Sequence, residues 1–520
     1  MNIELTGKSI IGFSRGSESE TTFNAFNPKT GEAVEPKFYS ASLDELNEAA
    51  RLADDARIAY GKVSGRDKAE FLRRIADNIE ALGETLLERA SLETGLPNAR
   101  FVGERGRTCM QLRMFADLVE KGDWVDARID TANPDRQPIP KPDIRSMLRP
   151  VGTVAVFCAS NFPLAYSVAG GDTASALAAG CPVIVNAHFA HPGTAELVGS
   201  AVLEAVKQSG LSKGVFSLIF SKGYEIGQAL VKHPHVKAVG FTGSRSGGRA
   251  LMDIAAARRE PIPVYAEMSS VNPVFILPGA MRERFETIKT GLHNSVTQGA
   301  GQFCTKPGIV VLPETDETKV FIEKFGELIS QTPQHPLLTE GIRNNYEKLS
   351  AERELEKVSA RNELQGFDVN PSLFIARAET FLSDASLEAE IFGPTTLFVQ
   401  SNKRGELLQI AREMEGQLTA AIHGTAEDLA EYADLIAILE TKVGRLIFNG
   451  YPTGVEVGDA IVHGGVYPAT SDSRTSAVGT RAIERFCRYV CFQDFPGEAL
   501  PDELKDENPL GIRRMIDGVV

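Results

Sequence analysis

The 520-residue chain lacks a CxxC pair, a secretory leader, a basic run and a long apolar run, and each absence removes a class of function. Its six cysteines (Cys109, Cys158, Cys181, Cys304, Cys487, Cys491) are scattered over the whole length. That spacing argues against a disulfide framework and against zinc or any other metal centre, and it predicts free thiols in a reducing compartment. The opening "MNIELTGKSIIGFSRGSESE" has no basic segment followed by an apolar stretch, and no apolar run reaches bilayer length. A cytoplasmic protein without a membrane partner is expected. Acidic residues outnumber basic ones 69 to 55, for a net charge of -14, so nucleic acid is not an expected partner.

What is present reads as a globular α/β protein long enough for several units with clefts between them. "SLDELNEAARLADDARIAYG" opens on a serine cap with Glu45 three residues later, and "DKAEFLRRIADNIEALGETLLERASLETG" continues the amphipathic pattern until a glycine stops it. "DTANPDRQPIPKPDIRSMLRP" (residues 130–150) carries five prolines, which predicts an extended arm or edge strands and excludes a buried central strand. From "VGTVAVFCA" onward, buried-strand runs alternate with helical stretches, the pattern of a doubly wound parallel sheet. No GxGxxG follows the first strand. A nucleotide would therefore be met by the glycine-rich turn Gly240–Gly248, where strand passes into helix. A second α/β region begins near Ser269, and "AIERFCRYVCFQDFP" reads as strand residues able to pair with the proline-rich arm or another subunit.

Four segments carry candidate chemistry. In "GAGQFCTKPG", Cys304 is either a small packing residue or a nucleophile on a bend that glycines open. In "ASNFPLAYS", Asn161 follows a strand at the ligand-binding edge of the sheet, where its amide serves either an oxyanion or a local turn. Glu267 ends an apolar run in "VYAEMSSVNP"; burial there should raise its pKa toward neutrality and make it a base toward water, unless it is an ordinary paired glutamate. "EIFGPT" supplies Glu390 and Phe392, suited to a ribose and a flat ring.

Taken in this order, "SNFP", "GFTGS", "AEMSSVNP", "GQFCTKPG" and "EIFGP" resemble the aldehyde dehydrogenase superfamily over almost the whole chain. "GGDTASALAAGCPVIV" and "YPATSDSR" are most similar to its 2-oxoglutarate semialdehyde (2,5-dioxovalerate) dehydrogenases. The resemblance implies two doubly wound α/β domains and a β-strand oligomerisation arm. Residues 1–129 and 151–267 would form the cofactor-binding domain, 268–483 the catalytic domain, and 130–150 with 484–520 the arm and tail. It implies NAD(P)-dependent oxidation of an aldehyde to an acid through a Cys304 thioester, with Asn161 at the oxyanion and Glu267 activating water. Gly243 and Ser244 would meet the pyrophosphate, Glu390 the nicotinamide ribose and Phe392 the ring. A homodimer or homotetramer is also implied. The alternatives are a dehydrogenase of aliphatic or fatty aldehydes and, from another class, a catalytically weak nucleotide-binding protein.

One position departs from the family pattern: Asn186 stands where a lysine usually bonds the adenosine ribose, which predicts weaker cofactor binding. Phe189 stands where an acid would disfavour a 2'-phosphate and Lys222 lies near enough in sequence to pair with one, so NADP is favoured slightly over NAD. A keto acid substrate requires an arginine in the tunnel, and the candidates are Arg105 and Arg474, with Arg100 and Arg107 beside them in "ARFVGERGRT".

Overall fold

The computed structural model describes residues 3–520. Ser42 caps its first long helix as the sequence predicts: its side chain accepts the Glu45 N–H while the Glu45 carboxylate accepts the Ser42 N–H, and the helix runs Leu43–Gly61. Helices Gly65–Glu80, Gly83–Thr94 and Asn98–Lys121 follow, the second of them ended by Gly95 in the left-handed region (φ 69°). Their apolar faces bury Phe71, Leu87, Phe101 and Phe115 against one side of the first sheet.

That sheet has seven strands in the spatial order Val264–Glu267, Val236–Thr242, Thr153–Phe157, Val183–Asn186, Phe216–Ile219, then the hairpin Ile10–Ile11 and Ser14–Arg15. The first five are parallel and the hairpin joins antiparallel at the edge. Continuous Val and Ile runs suit a sheet covered on both faces. Chain order reverses between Thr153–Phe157 and Val236–Thr242, which opens a crevice at their carboxyl ends. The segment holding Asn161 leaves one of these strands, and Gly243–Ser244 leaves the other.

A second seven-stranded sheet runs Glu356–Ser359, Ser372–Arg377, Thr395–Ser401, Ile309–Pro313, Val274–Ile276, Thr419–His423, Arg445–Phe448, parallel except for its first edge strand. A third, four-stranded sheet pairs Ile144–Pro150 with Cys487–Gln493 on one side and Arg128–Asp130 on the other. This corrects one expectation, since Ile144–Pro150 is an interior strand. The prolines of the arm fall in the loop before it or at its last residue, so the ladder between them loses no donor. The predicted C-terminal strand starts late, because Thr480–Phe486 forms a 3-10 turn first.

Helix Pro192–Gln208 begins just beyond the Asn186–Phe189 turn, and its own residues supply no side-chain cap. Glu93, fully buried, takes that role from another helix: it accepts from Gly193 N–H and Thr194 N–H (both 2.8 Å) and Thr194 Oγ1 (2.7 Å), with Arg89 2.9 Å away. A carboxylate at a helix N-terminus is favoured by the dipole as well as by these bonds. Glu93→Ala leaves Arg89 and those donors unpaired, at a cost of about 3 to 5 kcal/mol. A clear drop in the thermal midpoint by calorimetry is the expected outcome, and an unchanged midpoint would show that water replaces the carboxylate.

Candidate active site

The bend before Cys304 consists of Gly299, Ala300 and Gly301, all in the left-handed region (φ 57°, 59° and 64°). A Cβ on Gly301 would lie 2.3 Å from the Gly393 carbonyl oxygen, so this glycine lets the bend dock on the Gly-Pro turn of "EIFGP". Amides from two other segments hold the bend. Asn272 Nδ2 donates to the carbonyls of Cys304 (2.8 Å) and Lys306 (3.0 Å), and Asn161 Nδ2 donates to the Gln302 carbonyl (3.0 Å).

Asn161 therefore reaches across to the cysteine loop instead of closing a local turn. Its own loop is fixed by Glu104, whose carboxylate accepts from Leu164 N–H (2.9 Å) and Ala165 N–H (3.0 Å). Arg100 pairs with Glu104 at 3.4 Å and packs over the rings of Phe162 (4.5 Å) and Phe303 (4.9 Å). Since an amide nitrogen carries two hydrogens, Asn161 retains a donor for a ligand.

Glu267 is the last residue of its strand, 4% exposed, and its carbonyl accepts the Gly243 N–H (3.0 Å). The chain at residues 463–471 runs beside this strand end, with Met268 N–H bonded to Ala469 (2.8 Å) and Ser471 N–H to Ala266 (3.0 Å). That pairing brings in a residue the sequence reading missed. His463, 1% exposed, sets Nε2 2.9 Å from Glu267 Oε2 and 3.8 Å from Cys304 Sγ. Both Glu267 oxygens are buried, and the His463 imidazole and the Cys304 thiol are the groups placed to hold the carboxylate.

His463 reverses the expected titration of Glu267. Burial does push the carboxyl up, but His463, then Cys304 and Arg485, outweigh it and hold the pKa below the ordinary glutamate value. The neighbouring thiol moves the other way: burial first, and the Glu267 charge second, push Cys304 well above the ordinary cysteine value. The two shifts leave a thiol beside an ionised carboxylate, an arrangement in which a proton acceptor lies next to a sulfur.

The remaining predicted residues line two neighbouring regions. Ser244 caps helix Arg245–Ala256 by accepting the Gly247 N–H (3.2 Å), and a Cβ on Gly243 would lie 2.7 Å from the Phe241 ring. Ser244, Ser246 and Glu390 border a cleft of about 810 Å³. Burial pushes the Glu390 carboxyl up to about 7, against the opposing charge of buried Lys306, itself lowered by burial to about 8. Phe392 is half-buried next to Gly393. On the other side of the first sheet's edge, Asn186 Oδ1 accepts from Ser221 Oγ (2.8 Å) and Lys222 Nζ donates to the Thr22 carbonyl (3.3 Å). Phe189 is 52% exposed and stacked on His188 (4.6 Å).

The two arginines first expected at the substrate are engaged elsewhere. Arg105 Nη1 donates to the Gly83 carbonyl (3.1 Å), and the Arg474 side chain, 86% exposed, grips Asp472 through two nitrogens (2.9 and 2.7 Å). The first is turned to the neighbouring helix and the second to solvent, so neither reaches Cys304.

A deep-set cysteine, an ionised carboxylate and a glycine-lined helix N-terminus converge where two parallel sheets meet, and the sequence profile of the aldehyde dehydrogenase family matches residues 14–489. The chain belongs to the aldehyde dehydrogenase family. This aldehyde dehydrogenase is an NAD(P)-dependent oxidoreductase. It is 48% identical over 522 residues to alpha-ketoglutaric semialdehyde dehydrogenase 2 of Azospirillum brasilense, covering 99% of both chains. It is 43% identical, again over 99% of both, to the alpha-ketoglutaric semialdehyde dehydrogenase of Acinetobacter baylyi. Among solved structures, betaine aldehyde dehydrogenase of Staphylococcus aureus in complex with NAD+ superposes with a TM-score of 0.80 at 20% identity, over 95% of this chain and 96% of that one.

The signal for His463 was a lone histidine ahead of two glycines in "IVHGGV", and only the pairing of residues 463–471 with Glu267 gives it meaning. In His463→Gln, burial dominates at Glu267 and its pKa rises. The acid limb of the kcat/KM profile should then move to higher pH, with a loss of activity on that limb. A pH–rate profile that superposes on the wild type would contradict this.

Proposed function

We propose that the enzyme oxidises 2-oxoglutarate semialdehyde to 2-oxoglutarate, with Cys304, Glu267 and Asn161 as the reacting constellation. The reading is supported by near-complete, 48% identity to a relative that bears that activity in its name. Cys304 gives its proton to Glu267, steadied by His463 2.9 Å away, and the sulfur adds to the aldehyde carbon. The alkoxide that forms is met by the free hydrogen of the Asn161 amide and by the Cys304 N–H. The chemistry the nicotinamide cofactor supplies when bound is hydride acceptance, which turns the adduct into a Cys304 thioester. Glu267 releases to solvent the proton it took from Cys304, then takes a proton from water as hydroxide adds to the thioester, and returns that proton to the departing sulfur as the acid leaves and the thiol reforms.

Residues 1–129 and 151–267 supply most of the cofactor's seat in this reading. The seat fits a dinucleotide on two counts: a side chain at Gly243 would fill the approach to the helix N-terminus, and the adjoining cleft carries the half-buried Glu390 carboxyl. Gly243 and Ser244 face the pyrophosphate, Glu390 the nicotinamide ribose, and Phe392 the ring. Near the adenosine, Asn186 is held by Ser221, and no acid stands at Phe189 to repel a 2'-phosphate. Lys222, exposed and bonded only to a carbonyl, swings readily to a phosphate, which favours NADP. Residues 130–150 and 484–520 act as the self-association arm of a cytoplasmic homo-oligomer. The strand Cys487–Gln493 ends its sheet with a free edge, and Tyr489 beside it is 61% exposed.

A panel of aldehydes assayed with both cofactors tests this reading. The expected order of kcat/KM is 2-oxoglutarate semialdehyde above pentanal and above long-chain aldehydes, with NADP at least equal to NAD. Preference for long-chain aldehydes, or for NAD by a wide margin, would overturn the corresponding assignment.

A further inference from the structure

One wall of the cysteine site is cationic, and no acid of the chain neutralises it. Arg107, on helix Asn98–Lys121, and Arg445, first residue of the edge strand Arg445–Phe448, grip one loop from two sides. Arg107 Nη1 donates to the Val455 carbonyl, while Arg445 Nη2 donates to the carbonyls of Pro452 (2.7 Å) and Gly454 (3.0 Å). The second terminal nitrogen of Arg107 donates to Tyr166 Oη (3.3 Å), and the Tyr166 ring lies 6.0 Å from the His463 ring that touches Cys304. The charges sense one another: Arg107 favours the Cys304 thiolate, a thiolate there favours protonated Arg445, and the two arginines oppose each other.

Three observations indicate that an anionic ligand is missing from this arrangement. Among the described residues, neither arginine takes part in an ion pair, although the chain carries 69 acids against 55 bases. The Nε atoms of both are buried without a hydrogen-bond partner, a state that costs free energy until something accepts from them. Arg107 is linked to the cysteine through Tyr166 and His463, and Arg445 is electrostatically coupled to it, whereas Arg100 and Arg474 are committed to Glu104 and Asp472.

We propose that Arg107 and Arg445 together seat the carboxylate of an oxo-acid substrate whose aldehyde end lies at Cys304, and so select carboxylated over uncharged aldehydes. The inference rests on the semialdehyde reading above and names the residues that carry it out. Guanidinium groups suit the task because they stay charged when partly buried and bind carboxylates through paired donors.

The test compares 2-oxoglutarate semialdehyde with pentanal, of equal chain length, on the wild type, Arg445→Gln and Arg107→Gln. Taking a ratio of two substrates on one protein removes any loss of fold or of active fraction. In each variant the ratio of kcat/KM values should fall by about 100-fold, mainly through KM of the semialdehyde. Glutarate should compete with the semialdehyde on the wild type and lose that competition on Arg445→Gln. An equal fall for both aldehydes, or a wild-type preference that both variants keep, overturns the inference alone. A wild type with no preference for the semialdehyde overturns the functional reading and the inference together.

Discussion

A carboxylate sealed in protein beside an imidazole 2.9 Å away is the constraint around which this site is built. Burial alone would protonate Glu267 and remove its use as a base. His463 prevents this, and burial together with the negative charge His463 preserves keeps the adjacent Cys304 in its thiol form. The acidities of Glu267 and Cys304 are therefore set jointly.

The architecture fixes that group by backbone pairing rather than by loops free in solvent. Glu267 ends a parallel strand, Ala469 and Ser471 bond to its neighbours at the same strand end, and the Gly243 N–H donates to the Glu267 carbonyl. On the far side, Asn272 and Asn161 tie down the backbone around Cys304 while Lys306, buried next to it, donates to the Ile391 and Thr395 carbonyls (3.1 and 2.7 Å). The Gly243 turn, Glu267 and the Cys304 segment are thus each tied down by backbone hydrogen bonds.

Features whose cause is local were legible in the sequence. The Ser42 capping box, the glycine bend at residues 299–301 and the strand-to-helix turn at Gly243 follow from residue types within a few positions of each other. Features whose cause is tertiary were not. His463 looks like any lone histidine until residues 463–471 are paired with Glu267. Arg105 and Arg107 show the limit most plainly: two positions apart on a helix they face nearly opposite ways, and nothing in "ERGRT" states which face meets the cysteine. The direction of the Glu267 shift failed for the same reason, because burial is inferred from an apolar run but a partner from elsewhere in the chain is not.

The account stands or falls on the resting state of Cys304. Thiolate absorbance near 240 nm, titrated with pH and taken as the difference between wild type and Cys304→Ala, reads that state directly. The other buried thiols cancel in the difference, with Cys109 and Cys158 pushed up to about 12 and Cys181 to about 11 by burial. The prediction is no Cys304 thiolate at neutral pH in the cofactor-free enzyme, and a midpoint that falls when Glu267 is replaced by glutamine. A wild-type midpoint below neutrality, or one that the Glu267→Gln substitution leaves in place, would contradict it.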